Sequence, residues 1–163
     1  MSASVNTKSV AGFRKLRFNS VDACLAEVDR IVAADAAGKA RAIGNWTIGQ
    51  NFAHVAAWME YGYDGFPIKA PPLPVRWLLK LVKGRFLRKG LPRGFKIGGV
   101  PGGTIGQDAM STADGAARLK RALVRVAKEP FKHPSPALGP LTMDDQVNLN
   151  LRHAELHLGY VTY

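Results

Sequence analysis

The sequence has a single cysteine and no long run of apolar residues. One cysteine, Cys24, cannot form an intrachain disulfide or a thiolate metal cluster, and such sparse use is typical of a reducing compartment. No apolar run is long enough to cross a bilayer, and the first eighteen residues lack the apolar core of a secretory signal. We therefore expect a soluble, cytoplasmic protein.

Acidic residues are also scarce, with 12 Asp and Glu against 23 Lys and Arg, for a formal net charge of +11. Such a balance is compatible with anionic partners, but it is equally compatible with a well-solvated basic protein. The chain has 163 residues, 47% of them hydrophobic, which is enough for a core that needs no disulfides or structural metal. We expect a single domain that spans residues 1–163.

Four segments repeat apolar residues at helical spacing, and each follows a residue that can cap a helix. Thr47 and Gln50, for example, have the spacing of a capping box, in which side chain and backbone bond each other reciprocally. The four predicted helices cover about residues 20–37, 47–63, 111–128 and 142 onward.

The link between the second and third of these helices is about 45 residues long and carries a basic amphipathic helix at about 74–89. A link of this length does not suit a hairpin, but it suits a crossover that leaves the two helices parallel. The predicted fold is therefore all-α, a four-helix bundle with a long crossover between helices 2 and 3 that carries an extra short basic helix. The last helix can then lie beside the second.

His153 and His157 lie four residues apart on the last predicted helix, so both rings project from one face and can share a metal ion. At 100° per residue they share a narrow stripe with Gln146 and Asn150, midway across the apolar face. A solvated polar stripe is not expected there. The phase therefore favours a buried functional pair over two surface histidines.

The opposite face of this helix is expected to point outward and to include Asp144, Asn148, Arg152 and Glu155. Glu155 would lie about 200° round from His153, so the segment lacks the glutamate base of an H-E-x-x-H metalloprotease helix. Two histidines are too few ligands for a divalent ion. A third ligand should therefore come from elsewhere in the chain.

His54 is the candidate third ligand, on a second helix that is apolar almost all round and is therefore expected to be central. A lone histidine on such a helix is usually a satisfied core residue, but the incomplete pair on the last helix favours a ligand here. Trp58 and Tyr61 lie one turn further along the same side and are candidates to contact the ligands or the substrate. Gln50, one turn back, joins Gln146 and Asn150 as candidates to orient ligands or substrate.

Three segments are similar to a known group: WTIGQNFAHVA (46–56), HPSPALGPLT (133–142) and LRHAELHLGYV (151–161). They resemble the DinB/YfiT-like superfamily of metal-dependent enzymes, and within it a functionally uncharacterised branch. In that superfamily a helix-two histidine and an H-x-x-x-H pair on a late helix bind a divalent ion, which implies His54, His153 and His157 here. Characterised relatives include thiol S-transferases and thiol-dependent isomerases, so the resemblance implies a small-molecule substrate, with a low-molecular-weight thiol as one candidate.

Three neutral imidazoles leave at least one coordination position free, which is the pattern of a catalytic site. Nitrogen ligands suit Zn²⁺ first, and Ni²⁺, Fe²⁺ or Mn²⁺ are alternatives. A bound water or thiol would become nucleophilic at neutral pH. The leading hypothesis is a metal-dependent transferase or hydrolase acting on a small electrophile. The sequence identifies no further catalytic residue, and no carboxylate shares the histidine stripe.

Two other hypotheses stay open. One is a non-catalytic module of the same fold that holds a metal or a small ligand. The other is a basic surface module for nucleic acid or anionic membrane, because residues 69–96 contain nine basic residues and no acidic one. We favour instead a surface helix that packs its apolar side on the bundle, a side formed by Trp77, Leu78, Leu81, Val82 and Phe86. Self-association into a homodimer is compatible with the sequence.

Two further features lie in the connecting segments. Residues 94–106 are rich in glycine but lack the lysine of a phosphate-binding P-loop, so we interpret them as a mobile loop and a candidate lid over the site. His133 lies in a proline-rich connector and is most simply a loop residue. Cys24 borders an apolar stripe and is expected to be a small buried hydrophobe.

Overall fold

The computed structural model describes residues 4–163, so residues 1–3 of the predicted domain lie outside the described part. The described chain is predominantly helical, and its class is all-α as predicted. A short 3₁₀ turn, Pro101–Gly103, interrupts the long link. In chain order the helices and strands are α1 (Val21–Ala36), β1 (Arg41–Ala42), α2 (Ile48–Asp64), α3 (Leu73–Lys89), α4 (Thr112–Val126), α5 (Met143–Leu158) and β2 (Val161–Thr162).

Side-chain caps set the starts of four of these helices. Ser20, Ser111 and Thr142 each accept a hydrogen bond from the backbone N–H three residues further on. Thr47 and Gln50 form the predicted capping box, with bonds of 3.0 and 3.1 Å. Such caps contribute about 1 kcal/mol each. The predicted helix starts are confirmed to within a residue.

The most extensive helix packing joins α2 to α4. Their first turns touch so closely that a β-carbon on Gly49 would lie 2.1 Å from the Met110 carbonyl oxygen, and one on Gly115 2.8 Å from the Gly49 oxygen. At the other end of α2, Gly62 packs in the same way against Phe131, which follows α4. The two helices therefore run in the same direction and touch near both ends.

One hydrophobic core joins α1, α2, α4 and α5, while α3 contributes no buried residue to it. Cys24 of α1 is fully buried in this core, which confirms its predicted burial. The helix α2 packs on both α4 and α5, which gives it the central place that its composition predicted. The largest core side chains include Val28, Ile31, Phe52, Val55, Met59, Leu119, Leu123, Val126 and Leu158.

The polar face of α5 is exposed in its first half, at Asp144 and Asn148, and buried in its second. The prediction that this face points outward was therefore wrong for Arg152 and Glu155. Arg152 and Glu155 are only 2% and 7% exposed, because the non-helical segment 13–18 covers them. Glu155 Oε1 accepts a hydrogen bond of 2.6 Å from the Phe18 N–H, and Arg152 donates to the Phe18 carbonyl. Arg152 and Glu155 also form an ion pair at 3.0 Å. The phase of a helix cannot show that a distant non-helical segment will cover one of its faces.

A two-stranded sheet, which was not predicted, joins the α1–α2 link to the residues that follow α5. The strands are antiparallel, with Arg41 opposite Thr162 and Ala42 opposite Val161. Two residues are too few to show the alternation by which a strand is recognised. The pairing holds the residues after α5 against the link that precedes α2.

The helix α3 turns most of its predicted apolar side to solvent, whereas Val82 and Phe86 on the edge of that side are half-buried. The expectation that this side packs on the other helices was therefore wrong for its larger part. Trp77, Leu78 and Leu81 are 72%, 60% and 79% exposed. The opposite side of α3 faces α5, where Lys83 Nζ pairs with an Asp145 oxygen at 2.5 Å. Periodicity identifies an apolar side but does not show which side a neighbour covers. Across residues 4–163, no helix combines the length and the apolarity needed to cross a bilayer.

Candidate metal centre

Three histidines from two helices converge on one point. His54 comes from the middle of α2, and His153 and His157 from the last two turns of α5. One ring nitrogen of each lies within 4.8 Å of the other two. His54 Nε2 and His153 Nε2 are 3.2 Å apart, and the three ring centroids are separated by 4.4 to 5.0 Å. These are the three residues predicted as ligands.

A backbone carbonyl sets the tautomer of His54. His54 Nδ1 lies 2.8 Å from the Ile105 oxygen, which can only accept, so Nδ1 carries the proton. The Nε2 lone pair is therefore free and points at His153. An outer hydrogen bond of this kind is the usual way in which proteins orient a metal-binding imidazole.

Burial keeps the three imidazoles neutral. It lowers the pKa of His54 to about 4, and it lowers the pKa values of His153 and His157 well below their ordinary value. His54 lowers the pKa of His153 further, and both His54 and His153 lower that of His157, because a second positive charge so close would be repelled. Neutral imidazole is the form that binds metal ions.

The donor set fits a divalent transition-metal ion. Tetrahedral bonds of about 2.0 to 2.1 Å place two ligand nitrogens about 3.4 Å apart, close to the 3.2 Å between the Nε2 atoms of His54 and His153. His157 Nδ1 is buried and has no hydrogen-bond partner. Three imidazoles suit Zn²⁺ and its transition-metal neighbours better than Mg²⁺ or Ca²⁺, which prefer oxygen ligands. The cluster could therefore hold a metal ion and leave a coordination position open.

Aromatic side chains form the walls of the cluster. The Trp46 ring stacks on His157 at 5.4 Å with an angle of 12° between planes, and it lies 4.9 Å from the His54 ring. The ring centroid of Trp58 lies 6.1 Å from that of His54 and 6.0 Å from that of His153. The Trp58 Nε1 is buried without a partner, so it is a free hydrogen-bond donor beside the cluster. Tyr61, predicted beside Trp58, lies 6.1 Å from it.

The link between α3 and α4 runs along α2 beside the histidine cluster. Besides the Ile105 contact with His54, the Gln107 carbonyl accepts a 3.4 Å hydrogen bond from Gln50. Between them, Gly106 packs against α2 with φ of +81°, and a β-carbon there would lie 3.1 Å from Tyr61 Oη. The end of the segment predicted as a loop over the site therefore contacts a candidate ligand directly.

The amides predicted to orient ligands or substrate bond to other partners. The Gln50 side chain accepts from the Thr47 N–H in the capping box and donates to the Gln107 carbonyl. Gln146 accepts from the Phe131 N–H and donates to the carbonyls of Val126, which ends α4, and Glu129, three residues further on. Asn150 donates to the Gln146 carbonyl. None of these hydrogen bonds involves a histidine of the cluster. A role for these amides toward ligand or substrate stays a prediction.

Two parts of the site, the Trp46 ring and the Ile105 carbonyl, could not be predicted from the sequence. Trp46 precedes the cap of α2, where nothing in the local pattern directs its ring toward a histidine 111 residues away in sequence. The Ile105 contribution is a backbone carbonyl, and every residue has one. Both depend on how the link segments fold back onto α2 and α5.

Two surface clefts border the aromatic walls. One of about 350 Å³ is lined by His133, Arg76 and Phe66, whose ring lies 6.0 Å from Trp58. The other, of about 470 Å³, is lined in part by Trp46. His133 is exposed and lies outside the histidine cluster, in keeping with its interpretation as a loop residue.

The chain matches one known protein family over most of its length. A family described as a protein of unknown function, DUF1569, matches residues 11–163, which include all three histidines. The chain belongs to the DUF1569 family. No curated protein and no solved structure matches it. Membership in DUF1569 assigns no activity, so the function has to be argued from the site itself.

Proposed function

We propose that this DUF1569 protein is a metal-dependent enzyme related to the DinB/YfiT-like superfamily, with His54, His153 and His157 as ligands of a divalent ion. Zn²⁺ is the first candidate, and Ni²⁺, Fe²⁺ and Mn²⁺ are alternatives. The observation that carries the proposal is the convergence of three neutral imidazoles, one of them oriented by the Ile105 carbonyl. The proposal includes the fold, with α1, α2, α4 and α5 as a four-helix bundle and α3 on its crossover.

The ion would supply the means to make a thiol or water nucleophilic at neutral pH, which suits transfer to, or hydrolysis of, a small electrophile. The protein's own residues would then position the reactants. Trp46 and Trp58 keep bulk water from the cluster, and the free Trp58 N–H is placed to donate to a bound substrate. Cys24 is buried in the core, so a reacting thiol would have to come from a small molecule.

A turnover assay tests the proposal. Metal-loaded protein would be incubated with a low-molecular-weight thiol and a panel of epoxides, aryl halides and activated esters, and both thiol consumption and hydrolysis would be followed. We expect turnover that falls at least about 100-fold in His153→Ala, since even outer-sphere partners of metal ligands contribute 10–100-fold. Absence of turnover across the panel, in protein shown to hold the metal, would contradict the enzymatic role.

A non-catalytic metal-binding module of the same fold is the second candidate. It is favoured by the fact that neither of the two clefts bordering the site is lined by His54, His153 or His157. This alternative predicts bound metal without turnover. It also predicts that an added small thiol does not change the visible spectrum of the Co²⁺-loaded protein, because no coordination position would exchange.

A further inference from the structure

The exposed side of α3 carries the largest group of solvent-facing apolar side chains in the described chain. Leu73, Trp77, Leu78 and Leu81 are 60–79% exposed, and their spacing places them on one side of the helix. We call these four residues the α3 apolar face. Single exposed apolar residues are ordinary on a protein surface, but a contiguous group of this kind marks an interaction site.

Basic residues surround this face. Residues 69–96 contain nine Lys and Arg and no Asp or Glu. Lys80, Arg85, Arg88 and Lys89 are exposed, and Arg85 and Arg88 continue the same side of the helix beyond the apolar face. Among the residues that the structure describes, Lys83 alone of the nine forms an ion pair. The outer side of α3 is therefore apolar in its first half and positively charged in its second.

Contacts on the opposite side of α3 hold the helix in this orientation. Lys83 on the opposite side pairs with Asp145 in the first turn of α5, and α3 packs along α5. The cap of α5 places Asp145 there independently of α3, because its N–H bonds Thr142. The apolar face is therefore presented outward by contacts that do not use it.

We propose that α3 docks the protein on an anionic lipid surface, with the apolar face in the interface and the basic residues among the headgroups. An amphipathic helix with Leu and Trp on one side and Lys and Arg around them is the usual form of an interfacial membrane anchor. Trp77 would lie at headgroup depth, where tryptophan is enriched. The helix would lie on the bilayer and not cross it, in agreement with its length and charge.

Charge decides between a lipid surface and the other occupants of such a face. A second copy of the chain would bring two unpaired basic patches together, and like charges in contact oppose association. A nucleic acid would satisfy the basic residues but would leave Leu73, Leu78 and Leu81 in contact with phosphates and water. An anionic bilayer complements both halves of the surface.

Vesicle co-sedimentation tests the proposal with the full chain. The probes are vesicles of phosphatidylcholine alone and vesicles of equal parts phosphatidylcholine and phosphatidylglycerol. We expect binding to the anionic vesicles that weakens with salt, together with a blue shift of tryptophan emission that is absent in Trp77→Phe. The variant Leu78→Ser/Leu81→Ser should bind at least about tenfold more weakly, because two leucine side chains lose their apolar burial. The affinity of Arg85→Gln/Arg88→Gln for the anionic vesicles should fall about fivefold for each charge removed.

Val124→Ser is the matched control, because Val124 is another exposed apolar residue, on α4 and away from α3. It should bind anionic vesicles as the wild type does. Circular dichroism would establish that each variant is folded, as expected for substitutions outside the core. Absence of vesicle binding, or equal binding by Leu78→Ser/Leu81→Ser, would overturn the proposal. So would a wild-type dimer that this variant converts to monomer, or nucleic-acid binding that the leucine substitutions leave unchanged while vesicles are not bound.

Discussion

His54 Nε2 lies 3.2 Å from His153 Nε2, although 99 residues separate the two in sequence. Two nitrogen lone pairs at this distance repel unless a proton or a cation lies between them. The Ile105 carbonyl keeps the proton of His54 on Nδ1, so the pair needs either a proton on His153 or a shared ion. His157 joins the pair from the next turn of α5, which gives the shared ion a third ligand.

Cys24 should be chemically inert in the folded protein. Burial raises the pKa of its thiol to about 12, helped by the nearby carboxylates of Glu155 and Glu27. At pH 8 the thiolate fraction is then negligible, because the pH lies far below the pKa. We expect no reaction with a disulfide reagent on the time scale of minutes, and one reactive thiol per chain in guanidinium chloride. Rapid reaction of the native protein would show that Cys24 is available as a nucleophile.

Two helical glycines should respond in opposite directions to alanine. Gly49→Ala forces a methyl group onto the Met110 carbonyl and should destabilise the protein by about 3 kcal/mol through overpacking of α2 on α4. In Gly84→Ala of α3 the added methyl group meets only the flexible end of Arg88. This variant should stabilise the protein by about 0.5–1 kcal/mol through helix propensity. Urea denaturation measures both. Equal effects would show that α2 and α4 are not in close contact at Gly49.

Removal of Arg152 should leave the buried Glu155 carboxylate with only the more distant Arg17, at 3.8 Å, as a counter-charge. Arg152→Ala is expected to cost about 3–5 kcal/mol, whereas Lys15→Ala, at an exposed position of the covering segment, should cost less than about 0.5 kcal/mol.

The pH dependence of this loss follows from Glu155. Burial raises the pKa of Glu155 in the folded protein, and the loss of Arg152 raises it further. When the pKa of a group is higher in the folded than in the unfolded protein, the free energy of unfolding falls as pH rises from the unfolded-state pKa to the folded-state pKa. The cost of Arg152→Ala should therefore be smaller near pH 5 than at pH 8. Denaturation curves that show the same cost at both pH values would exclude Glu155 as the source.

The sequence predicted well those parts of the fold that depend on neighbouring residues. The caps at Ser20, Thr47 and Thr142 set helix starts through contacts within one turn, so they could be identified directly. The phase of His153 and His157 on α5 depended only on helix geometry. The grouping of these two with His54 required a tertiary contact, and it was inferred because the pair lacked a ligand.

The parts that were missed depend on segments without regular structure. Arg152 and Glu155 were predicted to face solvent, because the phase of α5 cannot show that Phe18 and its neighbours cover them. Trp46 reaches the histidines from a link, and Ile105 acts through its backbone. The exposed side of α3 was misjudged because its apolar side was assumed to be the packed one.

Elemental analysis is the most direct test of the central claim, that His54, His153 and His157 hold a metal ion. Untagged protein purified without chelator would be compared with single alanine variants of these three histidines and with His133→Ala, a control that removes an exposed histidine outside the cluster. We expect about one divalent ion per chain in the wild type and in His133→Ala, and its loss in each cluster variant. A folded wild type that holds no metal even after reconstitution would contradict the account.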